Sequence, residues 1–419
     1  MINVLINAYA CSPIWGSEPG MAWNWISNLA SYCNLYIITE GEWKEEIEES
    51  VRKHPQKEHL HFYYNPVSEK VRKMCWNQGD WRFYWYYRKW QKKTLTIAKQ
   101  ICLTHRIDVI HQLNMIGFRE PGYLWKIKDI PFVWGPVGGM ELMPIGYLEG
   151  ATLKQKAVTY LKNYLNDFQT KHSKRVHNAI ERADALVAAV KGVKEKIELY
   201  YHKDVVLINE TGCKVKGFCE HTYREDEPLK ILWVGKFDFR KQLGIAIHTI
   251  AKLADLKVEL HIVGSGNEAD VAYHKSLAES LGVSTMCYWY GMIKNDEVQK
   301  LMCTSDLLLF TSIMEGTPHV VLEAISNCLP VLCIDTCGQS AAVNDQVGRR
   351  IELTSASQSA DDFAKQIRLL YHNKVRLSDM STACVERQQE LSWDNKAIQM
   401  VEIYKTTIQK RNRRSNEKS

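Results

Sequence analysis

No run of eighteen apolar residues occurs in the 419 residues, so no segment reads as a bilayer-spanning helix. The opening Met1-Ile2-Asn3-Val4-Leu5-Ile6-Asn7 lacks the basic start and long apolar stretch of a secretory signal, and the expected compartment is the cytoplasm. The 12 cysteines are scattered, and neither Cys333-x3-Cys337 nor Cys213-x5-Cys219 has His or Cys partners at metal-binding spacing. Free thiols in a reducing compartment are therefore expected, with no disulfides and no metal. What the chain does have is length and apolar content. A hydrophobic share of 45% can fill two cores, and 419 residues exceed what one core supports, so two domains are expected.

The chemistry concentrates between Thr304 and Pro330. Leu307 to Phe310 is a short, continuously apolar run, as in a parallel strand buried on both faces. A loop with Gly316 and Pro318 follows, and Val320 to Ser326 reads as a helix that Pro318 suits as an opening residue. Glu315 then falls on the loop and Glu323 on the helix, at the sheet edge where open α/β folds bind ligands. Helix-start amides and the bare Gly316 suit a phosphate. Two carboxylates beside an anion site make sense as acceptors of hydroxyl hydrogens, because acids aimed at phosphate oxygens would repel them. A nucleotide sugar carries such hydroxyls on its ribose and on its sugar.

The pattern Glu315, seven residues, Glu323, followed by Ala324-Ile325-Ser326-Asn327-Cys328-Leu329-Pro330-Val331, resembles the GT-B glycosyltransferases of family 4 (glycosyl transferases group 1). Their usual form is Glu-Gly-Phe-Gly-x-x-x-x-Glu-Ala, and Thr317-Pro318 stands here in place of Phe-Gly. A second segment, Gly235-Lys236-Phe237-Asp238-Phe239-Arg240-Lys241, is similar to the family's Gly-Arg-Leu-x-x-x-Lys-Gly, with Lys236 in the Arg place. The resemblance implies two Rossmann-like, doubly wound parallel-sheet domains facing a cleft. It further implies a retaining transfer, without metal or other cofactor, from a UDP- or GDP-sugar to a glycan or lipid-linked acceptor in bacterial surface polysaccharide synthesis (capsule, O-antigen or lipopolysaccharide).

On that reading Glu315, Lys241 and Lys236 are catalytic. Glu323, Gly316, Thr317, Pro318, Gly264, Gly266, Gly291 and Met292 bind the donor, and Gly16, Ser17, His111, Gly138 and Gly139 lie on the acceptor side. Many family members carry a histidine just after the strand that here ends in Gly135 to Val137, and His111 is the available substitute, either on substrate or structural. The expected boundaries are 1–213 for the acceptor domain, 214–391 for the donor domain, 392–410 for a helix crossing back to the first domain, and 411–419 for a disordered basic tail.

Two stretches support rival readings. Gly264-Ser265-Gly266-Asn267-Glu268-Ala269 after a strand fits a dinucleotide fingerprint, hence an NAD-dependent Rossmann oxidoreductase, but no acidic residue closes a strand about twenty residues on. Between 70 and 99, Lys and Arg alternate with Trp, Tyr and Phe. These suit an anionic membrane surface, equally suit single-stranded nucleic acid, and also read as core rings under a solvated charged face. Peripheral membrane contact is the preferred reading and nucleic acid is not an expected partner. A non-catalytic carbohydrate- or nucleic-acid-binding protein remains the third class.

Overall fold

The computed structural model describes all residues except 78, 79, 150, 225, 317 and 417–419, and the backbone but not the side chains of 414–416. The chain forms two compact units. In the first, seven parallel strands run β1 (Ile2–Ala8), β2 (Cys33–Thr39), β3 (Leu60–Tyr64), β4 (Val109–Asn114), β5 (Phe132–Val137), β6 (Ala185–Ala188) and β7 (Val205–Leu207), in spatial order β3-β2-β1-β4-β5-β6-β7. In the second, six parallel strands run β8 (Leu229–Val234), β9 (Val258–Val263), β10 (Cys287–Gly291), β11 (Leu307–Phe310), β12 (Val331–Ile334) and β13 (Gly348–Ile351), in order β10-β9-β8-β11-β12-β13. Helices join the strands, so each unit is a Rossmann-like doubly wound sheet, as the sequence patterns imply.

Burial on both faces explains why these strands are largely apolar. Leu5, Ile110, Phe132 and Trp134 pack one face of the first sheet against Tyr87 and Trp90, while Val4, Ile6, Val109 and Val133 pack the other against Trp25 and Tyr404. In the second unit Ile231, Leu307 and Leu309 face Leu243 and Phe363, and Leu232, Leu308 and Phe310 face Val321 and Ile325. A polar residue on either face would lose its water without a partner.

The boundaries shift by one to three residues at the two expected junctions and differ substantially in one place. Leu142–Tyr164 belongs to the second unit, which resumes at Thr211 and ends at Ser392. Tyr147 anchors this excursion, buried in the second core with its hydroxyl 2.7 Å from Ser359 Oγ. Gly146 lies so close to the Thr354 carbonyl that a Cβ would sit 2.1 Å from its oxygen. Local sequence carries no sign of these distant partners.

The final helix, Trp393–Asn416, packs on the helix Ser17–Leu29 of the first unit, with the Trp25 and Trp393 rings edge to face at 5.9 Å. The tail expected to be disordered continues this helix as far as Asn416, and Arg411 holds it by donating to the Lys128 carbonyl and reaching Asp184 at 3.5 Å. Residues 417–419 of that tail lie outside the described residues. Among the described residues no helix is long and apolar enough to cross a membrane.

Candidate functional site

The order of strands in the second sheet reverses between β8 and β11. Loops leaving the carboxyl ends of these two neighbours diverge to opposite faces, which opens a crevice where α/β folds hold ligands. Lys241 comes from the first loop and Glu315 from the second, with Nζ 2.5 Å from Oε1 and each side chain only 17% exposed.

Backbone and neighbouring side chains fix both. The Lys241 N–H donates to Asp238 O at 3.1 Å and its carbonyl accepts from Thr311 Oγ1 at 2.7 Å, tying the two loops together. Trp233 Nε1 in turn donates to Thr311 Oγ1 at 2.9 Å. Ser312 Oγ lies 2.8 Å from Glu315 Oε1 and 3.1 Å from the Arg240 carbonyl, and its single proton serves one at a time. Glu315 N–H points at Cys337 Sγ, 3.3 Å away. The result is a cation and an anion that neutralise each other at rest and are pre-placed to receive a ligand carrying both phosphate and hydroxyl groups.

Glycines bring the β8 and β9 loops into contact. Gly264 has φ 127°, and a Cβ there would lie 1.8 Å from the Gly235 oxygen. Its N–H donates to the carbonyl of Gly291, whose φ is 66°, at 2.9 Å. Gly266 and Asn267 lead into the helix Glu268–Ser280, which Asn267 caps by accepting from Asp270 N at 2.8 Å. Gly264, Gly266 and Gly291 thus lie beyond the same sheet edge as Lys241, and Met292 extends from it into solvent.

The other residues expected on the donor side follow in order. Glu323 is half-buried within the helix His319–Ser326, which Pro318 precedes as cap residue. Gly316 is exposed and its carbonyl accepts from Gly338 N–H at 3.1 Å. Lys236 is exposed on the β8 loop, and Thr317 lies outside the described residues. Sequence reasoning missed three contributors, Ser312, Thr311 and His319. Part of His319 remains in water, but desolvation holds its imidazole pKa below the usual value, with Lys241 adding to this and Glu323 and Glu315 opposing it. Its position at the first residue of the helix was the available signal.

The first sheet has its own reversal between β1 and β4. Gly16 caps the helix Ser17–Leu29, and Ser17 takes a left-handed φ of 53° to enter it. One residue on, Glu18 Oε1 accepts the Ile116 N–H at 2.6 Å. Burial raises the Glu18 carboxyl to about 7, against the pull of that amide. Gly138 lies beyond β5, exchanging backbone bonds with Ile116 and Phe118 at 2.8 and 3.1 Å, and Gly139 turns away with φ 84°.

His111 does not join them. It is fully buried, with Nε2 2.6 Å from the Gly135 carbonyl and Nδ1 2.6 Å from the Tyr404 hydroxyl. The carbonyl can only accept, so Nε2 carries the proton and Nδ1 accepts from Tyr404. Burial lowers its pKa to about 4. This histidine fastens the last helix to the first sheet, and nothing in the sequence near it announces a partner at position 404.

The 70–99 segment divides between two roles. Phe83, Tyr87 and Trp90 pack around Tyr9 with ring centroids 5.7, 5.1 and 4.9 Å away. Trp81 and Trp85 are instead 68% and 65% exposed.

Comparison with known proteins adds similarities over part of the chain to this geometry. Residues 220–390 match the family model described as glycosyl transferases group 1. An uncharacterized glycosyltransferase of Methanocaldococcus jannaschii is 26% identical over 44% of this chain and 47% of its own length. The lipopolysaccharide 1,6-galactosyltransferase of Salmonella typhimurium is 26% identical over 52% of this chain and 61% of its own. A D-inositol 3-phosphate glycosyltransferase of Corynebacterium aurimucosum is 25% identical over 72% of each chain. The chain thus spans about half the length of the first two of these relatives. Among solved structures, the lipopolysaccharide outer core galactosyltransferase WaaB in its apo form aligns over 95% of this chain and 99% of its own, with TM-score 0.61 and 18% identity. Anabaena Alr3699/HepE in complex with UDP aligns over 97% and 100%, with TM-score 0.60 and 14% identity, so the likeness to both is one of fold.

Proposed function

We propose that this chain, whose residues 220–390 are a glycosyl transferases group 1 domain and whose fold is GT-B, moves a sugar from a nucleoside diphosphate sugar to a hydroxyl of a glycan or lipid-linked acceptor. The observation that carries this is the Lys241–Glu315 pair at the β8/β11 reversal. When a donor enters, its diphosphate takes the Lys241 ammonium and its sugar hydroxyls take the Glu315 carboxylate, so each charge exchanges one partner for another without being stranded in a half-buried site. Glu323 receives the ribose hydroxyls. Lys236, exposed on the same loop, completes the positive field in which charge grows on the leaving diphosphate, so the proposed chemistry needs no metal.

The reaction is retaining on this reading, the donor carries UDP or GDP, and the product belongs to a bacterial surface polysaccharide such as lipopolysaccharide or capsule. A lipopolysaccharide galactosyltransferase among the sequence relatives supports that pathway. The enzyme acts in the cytoplasm, peripherally on the membrane that would carry a lipid-linked acceptor.

Thermal-shift titration with UDP, GDP, ADP and NAD tests the donor. A ligand at a hundredfold over its Kd adds about 2.7 kcal/mol of stability. UDP or GDP should stabilise the wild type and fail to stabilise Glu323→Ala at the same concentration. Stabilisation by NAD alone would instead indicate an oxidoreductase.

A further inference from the structure

A groove of 610 Å³ opens in the first unit between the N-terminal turn of the helix Phe83–Thr104, the loop beyond β4, and the helix junction at Gln169–Val176. Three arginines meet there. Arg88 donates to Glu120 Oε1 through Nε at 2.9 Å and Nη2 at 2.7 Å, and Arg175 grips both oxygens of the same buried carboxylate. Arg119 is oriented differently, by the neutral oxygens of Gln169 at 2.6 Å and Asn166 at 2.5 Å. Two guanidiniums share one carboxylate and the third meets only neutral oxygens, which leaves two positive charges in excess among the groove's lining residues. Trp81 and Trp85 form its solvent-facing apolar wall.

The combination selects a kind of ligand. Guanidiniums match phosphate oxygens in bidentate geometry. An inorganic ion would use only that end of the groove and leave the indole wall bare. A flat bilayer would press on aromatics at a convex surface, whereas here they line the same concavity as the arginines. An anionic group attached to a single hydrocarbon chain uses both.

Tyr84 also lines a second cavity, of 340 Å³, at the carboxyl ends of β1, β2 and β4. Its wall includes Glu18, Glu42, Trp43 and Trp76, with Trp76 Nε1 donating to Glu42 at 3.0 and 3.1 Å. Carboxylates and indoles receive hydroxyls and the apolar faces of a sugar ring, and they repel a second anion.

We infer that groove and cavity form one acceptor site for a lipid phosphate-linked saccharide. The phosphate sits among Arg88, Arg119 and Arg175, the hydrocarbon runs along Trp81 and Trp85, and the uncharged saccharide occupies the cavity across Tyr84. Calling it an acceptor site rests on the transfer reading above; the binding of an anionic amphiphile does not.

Isothermal titration of the full chain tests it with octyl phosphate, inorganic phosphate and octyl glucoside, each below its micellar concentration. Octyl phosphate should bind at least tenfold more tightly than either of the others. Arg119→Gln should weaken it tenfold or more, and Trp81→Ala with Trp85→Ala should remove its advantage over inorganic phosphate. These tryptophans are exposed, so folding is preserved, as circular dichroism would verify. Equal binding of octyl glucoside, equal binding of inorganic phosphate, or indifference to Arg119→Gln would each overturn the inference. So would flotation with phosphatidylglycerol vesicles that octyl phosphate does not compete away, which would indicate bilayer docking. UDP and GDP stabilisation is measured on the same variants. If nucleotide binding persists while octyl phosphate fails, only this inference falls; if octyl phosphate binds and no nucleotide does, the transferase reading falls instead.

Discussion

At the carboxyl ends of β8 and β11 a lysine and a glutamate meet at 2.5 Å, whereas beyond the corresponding ends of β1 and β4 the Glu18 carboxylate grips the backbone amide of Ile116 at 2.6 Å. The topologies are alike, each sheet reversing its strand order at that point. The local chemistry differs. The second unit offers a charge pair that a ligand can open, while the first offers a desolvated carboxyl, raised to about 7, beside indoles. One crevice suits a diphosphate with hydroxyls and the other suits hydroxyls alone. Doubly wound topology therefore fixes where ligands bind, and the loop residues decide what they are.

The largest effect should come from breaking the pair. Lys241→Ala or Glu315→Ala should cut turnover by about 10²–10³, the scale of losing one preorganised charge contact, with the fold retained. Steady-state rates with a panel of nucleotide sugars measure this, and near-native rates in either variant would remove the pair from the mechanism.

Next is Gly264→Ala, which forces a side chain onto a left-handed backbone and against the Gly235 oxygen. The backbone strain alone is about 1–3 kcal/mol, so denaturant titration should show the second unit unfolding earlier and the first unchanged. Tyr404→Phe probes the first unit in the same way. It leaves buried His111 Nδ1 without its donor, a loss of about 1–3 kcal/mol, with no change in nucleotide affinity. A change in acceptor KM would place His111 on the reaction path after all.

The smallest effect is one of pH. Glu18 holds its proton in the folded state up to about 7 and, when unfolded, releases it near the ordinary carboxyl value of 4.5, so between these values stability falls as pH rises. His111 behaves oppositely. Its folded pKa of about 4 lies below the usual 6.5, so stability falls as pH drops through that window. Glu18→Gln keeps the acceptor for Ile116 and should flatten the first slope between pH 5 and 8 in thermal melts, leaving the acid slope in place.

How much of this was legible depended on distance along the chain. Leu307–Phe310 and the loop to Glu323 could be read because strand, Gly-Pro turn and helix are local patterns. Glu315 and Lys241 were legible by spacing, although their contact was not, since 74 residues separate them. His111 could be read either way, because a histidine ending a strand looks the same whether it faces a ligand or a tyrosine 293 residues later. The aromatic segment showed its composition but not its division, because Phe83, Tyr87 and Trp90 point inward at helical spacing while Trp81 and Trp85 do not. Leu142–Tyr164 was assigned to the wrong unit for the same reason, since its partners Thr354 and Ser359 lie about two hundred residues away.

The most direct test of the proposed donor crevice is a crystal structure with UDP or GDP bound. The diphosphate should lie within hydrogen-bonding distance of Lys241 Nζ, the ribose hydroxyls should reach Glu323, and Glu315 should be released from its lysine. A nucleotide seated at the end of any other strand, with the 2.5 Å Lys241–Glu315 contact still closed, would contradict the account.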